Sequence, residues 1–179
     1  LLQWKNPRSH WLLKSPSHTE SLPVLFKVFP DAQVVYTHRD PIKARASVTN
    51  LLGTLYWMRS DKPFDAAAFE RLLTPEAYAH SLNRVIEQIE DGSIPRSRIH
   101  DLLFADLMAQ PQETLARLYQ QMGLPFSEQA RSNVLSYLAE KPHGKFGKHQ
   151  YSVGERDPIA SERELFVRYQ QFHNVPDEV

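Results

Sequence analysis

Three clusters of residues in this chain of 179 have types and spacing suited to holding an anion. They are Lys14-Ser15-Pro16-Ser17-His18, His38-Arg39-Asp40-Pro41, and a basic, glycine-punctuated stretch from Lys141 to Ser152. The second is the most informative. Arg39 ends a run that reads as a strand, Asp40-Pro41 reads as a helix start, and Ser47 lies about two turns into that helix. A guanidinium fork, a hydroxyl and the N–H groups of a helix N-terminus are all donors, and the helix dipole adds positive potential; together they make a phosphate site. Each residue alone has an ordinary use. Lys14 and Arg39 can simply emerge from buried strands into water, and Ser47 can be a helix-face hydroxyl.

The elements that must position these groups follow from hydrophobic period and punctuation. His10 to Lys14 reads as a short buried strand that meets a turn at Ser15-Pro16-Ser17. Leu22, Leu25, Phe26 and Phe29 recur at helical spacing, so a helix is predicted over Thr19–Val28, broken by Pro30-Asp31. Ala32 to His38 is a second strand, rich in β-branched and aromatic residues. Asp40 as N-cap and Pro41 at the first helical position open a helix to about Leu55. Thr74 caps another, with Tyr78, Leu82, Val85, Ile86 and Ile89 on one face, ended by Asp91-Gly92. Arg98 to Phe104 is a third strand, and helices are predicted over Pro111–Met122, Ser127–Ala139 and Ser161–Phe172. The expected fold is therefore α/β, a parallel sheet of three strands each followed by helices. In such open sheets ligands bind beyond the C-terminal strand ends, where the first two clusters fall.

Composition narrows the function. With 21 Lys+Arg against 21 Asp+Glu the formal net charge is zero, which argues against a nucleic-acid or anionic-membrane partner recruited by bulk charge. Cysteine is absent, which excludes disulfide frameworks, thiolate metal sites and a cysteine nucleophile, and fits a cytoplasmic protein. No apolar run approaches the ~20 residues that span a bilayer, and no signal peptide is visible. The eight histidines show no metal-ligand spacing, so no metal is expected. The length suits a single domain over residues 1–179.

At family level, Trp11-Leu-Leu-Lys-Ser-Pro-Ser-His18, then Val28-Phe-Pro-Asp-Ala-Gln-Val-Val-Tyr-Thr-His-Arg-Asp-Pro41 with Ser47, resembles the central part of the sulfotransferases that use PAPS, 3′-phosphoadenosine 5′-phosphosulfate, especially their bacterial branch. Phe104-Ala-Asp-Leu-Met-Ala-Gln-Pro111 followed by Met122-Gly-Leu-Pro125 is similar to a later segment of that family, and Gly147-Lys-His-Gln-Tyr-Ser152 to its cofactor-closing loop. The resemblance implies a P-loop NTPase-like sulfotransferase fold and transfer of a sulfuryl group from PAPS to a hydroxyl or amine, on a small-molecule or glycan acceptor and without a metal. It places Arg39 and Ser47 on the cofactor's 3′-phosphate, Phe104 beside its adenine, and Lys145, Lys148 and Tyr151 on the far side of the same phosphate. It places Lys14 and His18 beside the transferred group, with Lys14 neutralising charge and His18 either acting as general base or capping a short helix.

One family feature has no counterpart. The strand, Gly-rich loop and helix that cradle the 5′-phosphosulfate do not precede Trp11, and the chain's six glycines are scattered. The expectation is a domain truncated at its N-terminus, carrying the 3′-phosphate side of the site. Two rivals follow: a non-catalytic nucleotide-binding module, and a P-loop kinase relative, the latter disfavoured by the lack of an acidic Walker B-like strand end. Tyr56, Trp57, Phe64 and Phe69 either line an acceptor pocket or form core.

Overall fold

The structure is a computed structural model that describes residues 2–69, 73–142 and 156–179. Among these residues the sheet has two parallel strands, β1 (Val34–His38) and β2 (Ile99–Leu103), paired in register from Val34 with Ile99 to His38 with Leu103. The expected strand over His10–Lys14 does not form. That segment is irregular, with Leu12 and Leu13 exposed, and among the described residues the sheet does not include it. A strand is stable only when a neighbour takes up its backbone donors and acceptors, so a β-like composition without a partner yields extended coil.

The helices follow the sequence reading closely. A short turn of helix, α1 (Leu2–Lys5), precedes a 3₁₀ helix at Pro16–Ser21, which runs into α2 (Leu22–Val28). Then come α3 (Pro41–Trp57) and α4 (Pro75–Glu90). The Thr74 hydroxyl accepts from Ala77 N at 3.2 Å to start α4, and Gly92 follows its end at φ +77, a left-handed conformation that glycine adopts without a Cβ clash. β2 gives way directly to α5 (Phe104–Ala109), one residue earlier than the strand reading expects, and α6 (Pro111–Gln121) and α7 (Glu128–Glu140) follow. The single helix expected over Ser161–Phe172 is two, α8 (Arg156–Glu164) and α9 (Val167–His173), separated at the fully buried Phe166.

α4 holds the fold together because its apolar stripe serves two clusters. Leu82 and Ile86 meet Ile42 of α3 and Phe166, Tyr169 and Val175 near the C-terminus. Val85 meets Leu22 and Phe26 of α2 together with Ile94 and Ile99. On β1 the covered side carries Val34, Tyr36 and His38, while Val35 and Thr37 alternate outward. The sheet is thus clamped by helices at the ends of its two strands, where Arg39 and Phe104 leave it. Among the described residues no helix is long and apolar enough to cross a membrane. Ile86, wholly buried at the centre of α4, is the test of this arrangement. Ile86→Ala is expected to cost about 2–5 kcal/mol of unfolding free energy in urea titration; a change under about 1 kcal/mol would show that α4 is not the keystone.

Candidate functional site

The end of β1 is anchored from beneath by polar groups. The His38 side chain has no solvent exposure, and its Nε2 and Nδ1 lie 2.9 Å from Asp101 Oδ1 and 2.8 Å from Tyr169 Oη. An ionised carboxylate only accepts, so Nε2–H donates to Asp101 and the Tyr169 hydroxyl donates to Nδ1. The ring stacks on His173 at 4.1 Å between centroids, and His173 Nδ1 lies 3.4 Å from the same Asp101 oxygen, an electrostatic contact of poor hydrogen-bond geometry. Arg96 binds the other Asp101 oxygen. Burial lowers the His38 pKa below that of an ordinary histidine, against the pull of Asp101, so the ring is neutral at pH 7. Burial on its own raises the Asp101 carboxyl, yet His173 and His38 beside it more than offset this and hold it well below the usual carboxylate range.

His38, Asp101 and His173 offer ligand atoms within 4.8 Å of one another, a metal-like grouping that sequence spacing does not reveal because the three come from β1, β2 and α9. In the tautomer set by Tyr169, the His38 nitrogen facing the carboxylate carries a proton. The cluster therefore acts as a hydrogen-bonded floor under the strand end.

Above that floor sit the residues expected to bind an anion. The Asp40 carboxylate is fully buried; its Oδ1 accepts from Ile42 N at 3.0 Å, which starts α3 as the sequence reading expects. Its Oδ2 accepts from Arg163 Nη2 at 3.1 Å and from Glu178 N at 2.7 Å, contacts separated by more than 120 residues that no local pattern announces. The helix N-terminus consequently offers less to a ligand than the sequence suggests. Pro41 has no N–H, and that of Ile42 is already taken.

Arg39, one residue beyond the strand, lies over the Phe104 ring with Cζ 4.4 Å from its centroid. Its Nε and Nη2 donate to the Glu178 carboxylate at 2.8–3.0 Å. The structure thus brings Arg39 and Phe104 together and adds Glu178, which sequence reasoning missed. Ser47 is half-buried on α3, the helix that follows Arg39. Arg45 clamps α3 to α8 by a bidentate pair with Glu162 at 2.7 Å and also reaches the Leu73 carbonyl. Lys14 and His18 are exposed, the first in irregular chain and the second in the 3₁₀ turn, whose Glu20 accepts from Ser81 of α4. Lys145, Lys148 and Tyr151 lie outside the described residues. Of the four aromatic residues after α3 begins, Phe64 packs on Tyr56 and Phe69, whereas Trp57 is exposed.

The protonation pattern of the floor has a consequence for stability. Unfolded, His38 and Asp101 take up protons near their ordinary values of about 6.5 and 3.9. Folded, both bind them only at lower pH, so over these windows the unfolded state holds more protons and stability is lost as the pH falls. The melting temperature is expected to drop from about pH 7 to about pH 5 through His38 and again below about pH 4 through Asp101. A flat profile over the first window would contradict the neutral buried His38.

Comparison with known proteins bears on this geometry. The model of the sulfotransferase family matches residues 1–128. The omega-hydroxy-beta-dihydromenaquinone-9 sulfotransferase Stf3 of Mycobacterium bovis is 28% identical over 170 residues, 93% of this chain and 42% of that protein. Its counterpart in Mycobacterium tuberculosis matches to the same extent. The crystal structure of sulfotransferase STF9 from Mycobacterium avium superposes with a TM-score of 0.73 at 25% identity, covering 99% of this chain and 45% of that one. The chain spans less than half the length of these relatives.

Proposed function

This chain belongs to the sulfotransferase family, and from that premise we propose that it serves the cytoplasmic transfer of a sulfuryl group from PAPS to a hydroxyl or amine, with its own residues forming the 3′-phosphate side of the donor site. The observation that carries this reading is the placement of Arg39. It stands at the C-terminal end of β1, where open α/β sheets take their ligands, with its guanidinium over the Phe104 ring and Ser47 on the helix that follows. A planar cation and a hydroxyl are the donor set a phosphate dianion requires, so the residues present fit the group.

PAPS supplies the activated sulfuryl group when bound. The work left to the protein is positioning and charge stabilisation, as in phosphoryl transfer. Arg39 and Ser47 hold the 3′-phosphate, and Phe104, one face of which Arg39 covers, presents its ring toward the base. Lys14 neutralises charge on the transferred group, and His18 takes the acceptor's proton; both stand in exposed chain with room for a substrate. Lys145, Lys148 and Tyr151, outside the described residues, are assigned to the far side of the phosphate on the family resemblance alone. Nothing in this scheme requires a nucleic acid or a membrane span.

The acceptor proposed is a small molecule with an apolar body. Its support is a stripe of exposed apolar residues on α3 and just beyond, Val48, Leu51, Leu55 and Met58, which begins beside Ser47. The mycobacterial relative whose name specifies a menaquinone-derived substrate agrees in kind. A glycan acceptor would call for hydrogen-bonding side chains along that stripe instead.

Two measurements test these readings. Arg39→Ala is expected to weaken calorimetric binding of 3′,5′-adenosine bisphosphate by about a hundredfold or more, the scale of a lost charged bidentate contact, and Ser47→Ala by about tenfold. Binding by the parent chain without turnover of PAPS would favour a non-catalytic nucleotide-binding module. Leu55→Glu is expected to lower kcat/KM for an apolar acceptor at least tenfold while leaving binding of the bisphosphate unchanged. An unaffected acceptor specificity would remove the stripe from the acceptor site.

A further inference from the structure

Glu178 stands 139 residues from Arg39 in sequence and binds it through both carboxylate oxygens. Such a contact has two opposite meanings at an anion site. The carboxylate can be a resident occupant that a phosphate must expel, or it can be a bracket that holds the guanidinium in the plane where the phosphate meets it. A bracket needs a fixed base, and the way Glu178 is held supplies one.

The segment from Asn174 to Val179 is docked along its length. Asn174 turns the chain out of α9 in a left-handed conformation at φ 54, and Val175 is buried in the main cluster. Gln170 secures the same segment, with its carbonyl accepting from Val175 N at 2.9 Å and its amide donating to Asp177 at 2.7 Å. Arg163 donates to Asp177 and, at 2.7 Å, to the Val179 carbonyl. Glu178 donates its own N–H to the buried Asp40 at 2.7 Å. Moving the backbone of this residue would strand a buried carboxylate oxygen that Arg163 and Glu178 now share, so the base of the Glu178 side chain is fixed beside Arg39. Its backbone is anchored through Asp40, the residue next to Arg39, which is the fixed base a bracket requires.

We propose that Glu178 is a positioning residue of the donor site: with Phe104 against one face of the Arg39 guanidinium and Glu178 along its Nε edge, the plane of the fork is set before the anion arrives. Pre-setting a long side chain spares the ordering entropy that binding otherwise costs. The side-on contact engages Nε and Nη2, and a guanidinium has a second, end-on fork suited to a phosphate. This inference rests on the reading that Arg39 binds the cofactor's 3′-phosphate.

Titration calorimetry with 3′,5′-adenosine bisphosphate tests it. Glu178→Ala is expected to weaken binding about tenfold, and Glu178→Gln, which keeps one acceptor oxygen on the same stem, by clearly less. In an Arg39→Lys background, where an ammonium has no plane to set, Glu178→Ala is expected to add nothing; a merely structural role would weaken binding there as well. Every variant keeps the backbone N–H that Asp40 accepts, and thermal melts report whether the fold is intact; if Glu178→Ala fails to fold, Glu178→Gln carries the test alone. Binding as tight as the parent's, or tighter, overturns the bracket and makes Glu178 a bystander or a competitor. If Arg39→Ala abolishes binding in the same series, the donor-site reading survives that result. A parent chain that does not bind the bisphosphate overturns both.

Discussion

A single buried carboxylate organises the functional end of this protein. Asp40 has no solvent exposure and three partners: the Ile42 N–H at the start of α3, Arg163 on α8, and the Glu178 N–H near the C-terminus. A buried charge is tolerable only when its oxygens are satisfied by donors. Each segment that reaches Asp40 is therefore constrained to arrive in one register. The strand end, the first turn of the next helix and a segment about 140 residues later in sequence become neighbours, and Arg39 is placed where they meet. Such a pair is weak support for stability in itself, because desolvation offsets much of the attraction. Its effect is geometric.

The same economy of charge runs through the surrounding residues. The chain is formally neutral, and in this region each of three arginines is paired with carboxylates: Arg45 with Glu162, Arg163 with Asp40 and Asp177, Arg39 with Glu178. A site built this way does not draw in polyanions through a long-range field. In the proposed reading it would recognise one small anion by shape and donor geometry, the selectivity a nucleotide 3′-phosphate calls for. Beneath it the neutral His38 and the ionised Asp101 supply a floor that does not titrate at neutral pH, so the strand end keeps its position while the groups above it carry charge.

Much of this was legible in one dimension. Asp40-Pro41, Thr74 and Asp91-Gly92 announced helix limits because capping and turn chemistry act over three or four residues, and the stripe on α4 announced a core face because helical period is local. Arg39, with Ser47 eight residues on, pointed to an anion site, and the family match over residues 1–128 agrees with the resemblance those residues carry. The strand expected at His10–Lys14 failed for a corresponding reason. Its residues favour an extended chain, but a strand is a relation between two segments, and among the described residues the second one is missing. Likewise the pairing of Arg45 with Glu162, 117 residues away, carries no local signal.

The sequence by itself therefore determined which residues are cationic, where helices start and stop, which faces are apolar, and which family pattern the chain carries. All of these depend on covalent neighbours and short periods. Only the tertiary structure decided that Glu178 meets Arg39, that Asp40 serves a distant backbone as well as its own helix, and that His38, Asp101 and His173 share one buried cluster. Those contacts join segments 63 to 139 residues apart. Their geometry is fixed by packing and by the need to satisfy buried charge, and neither constraint is written at any single position in the chain.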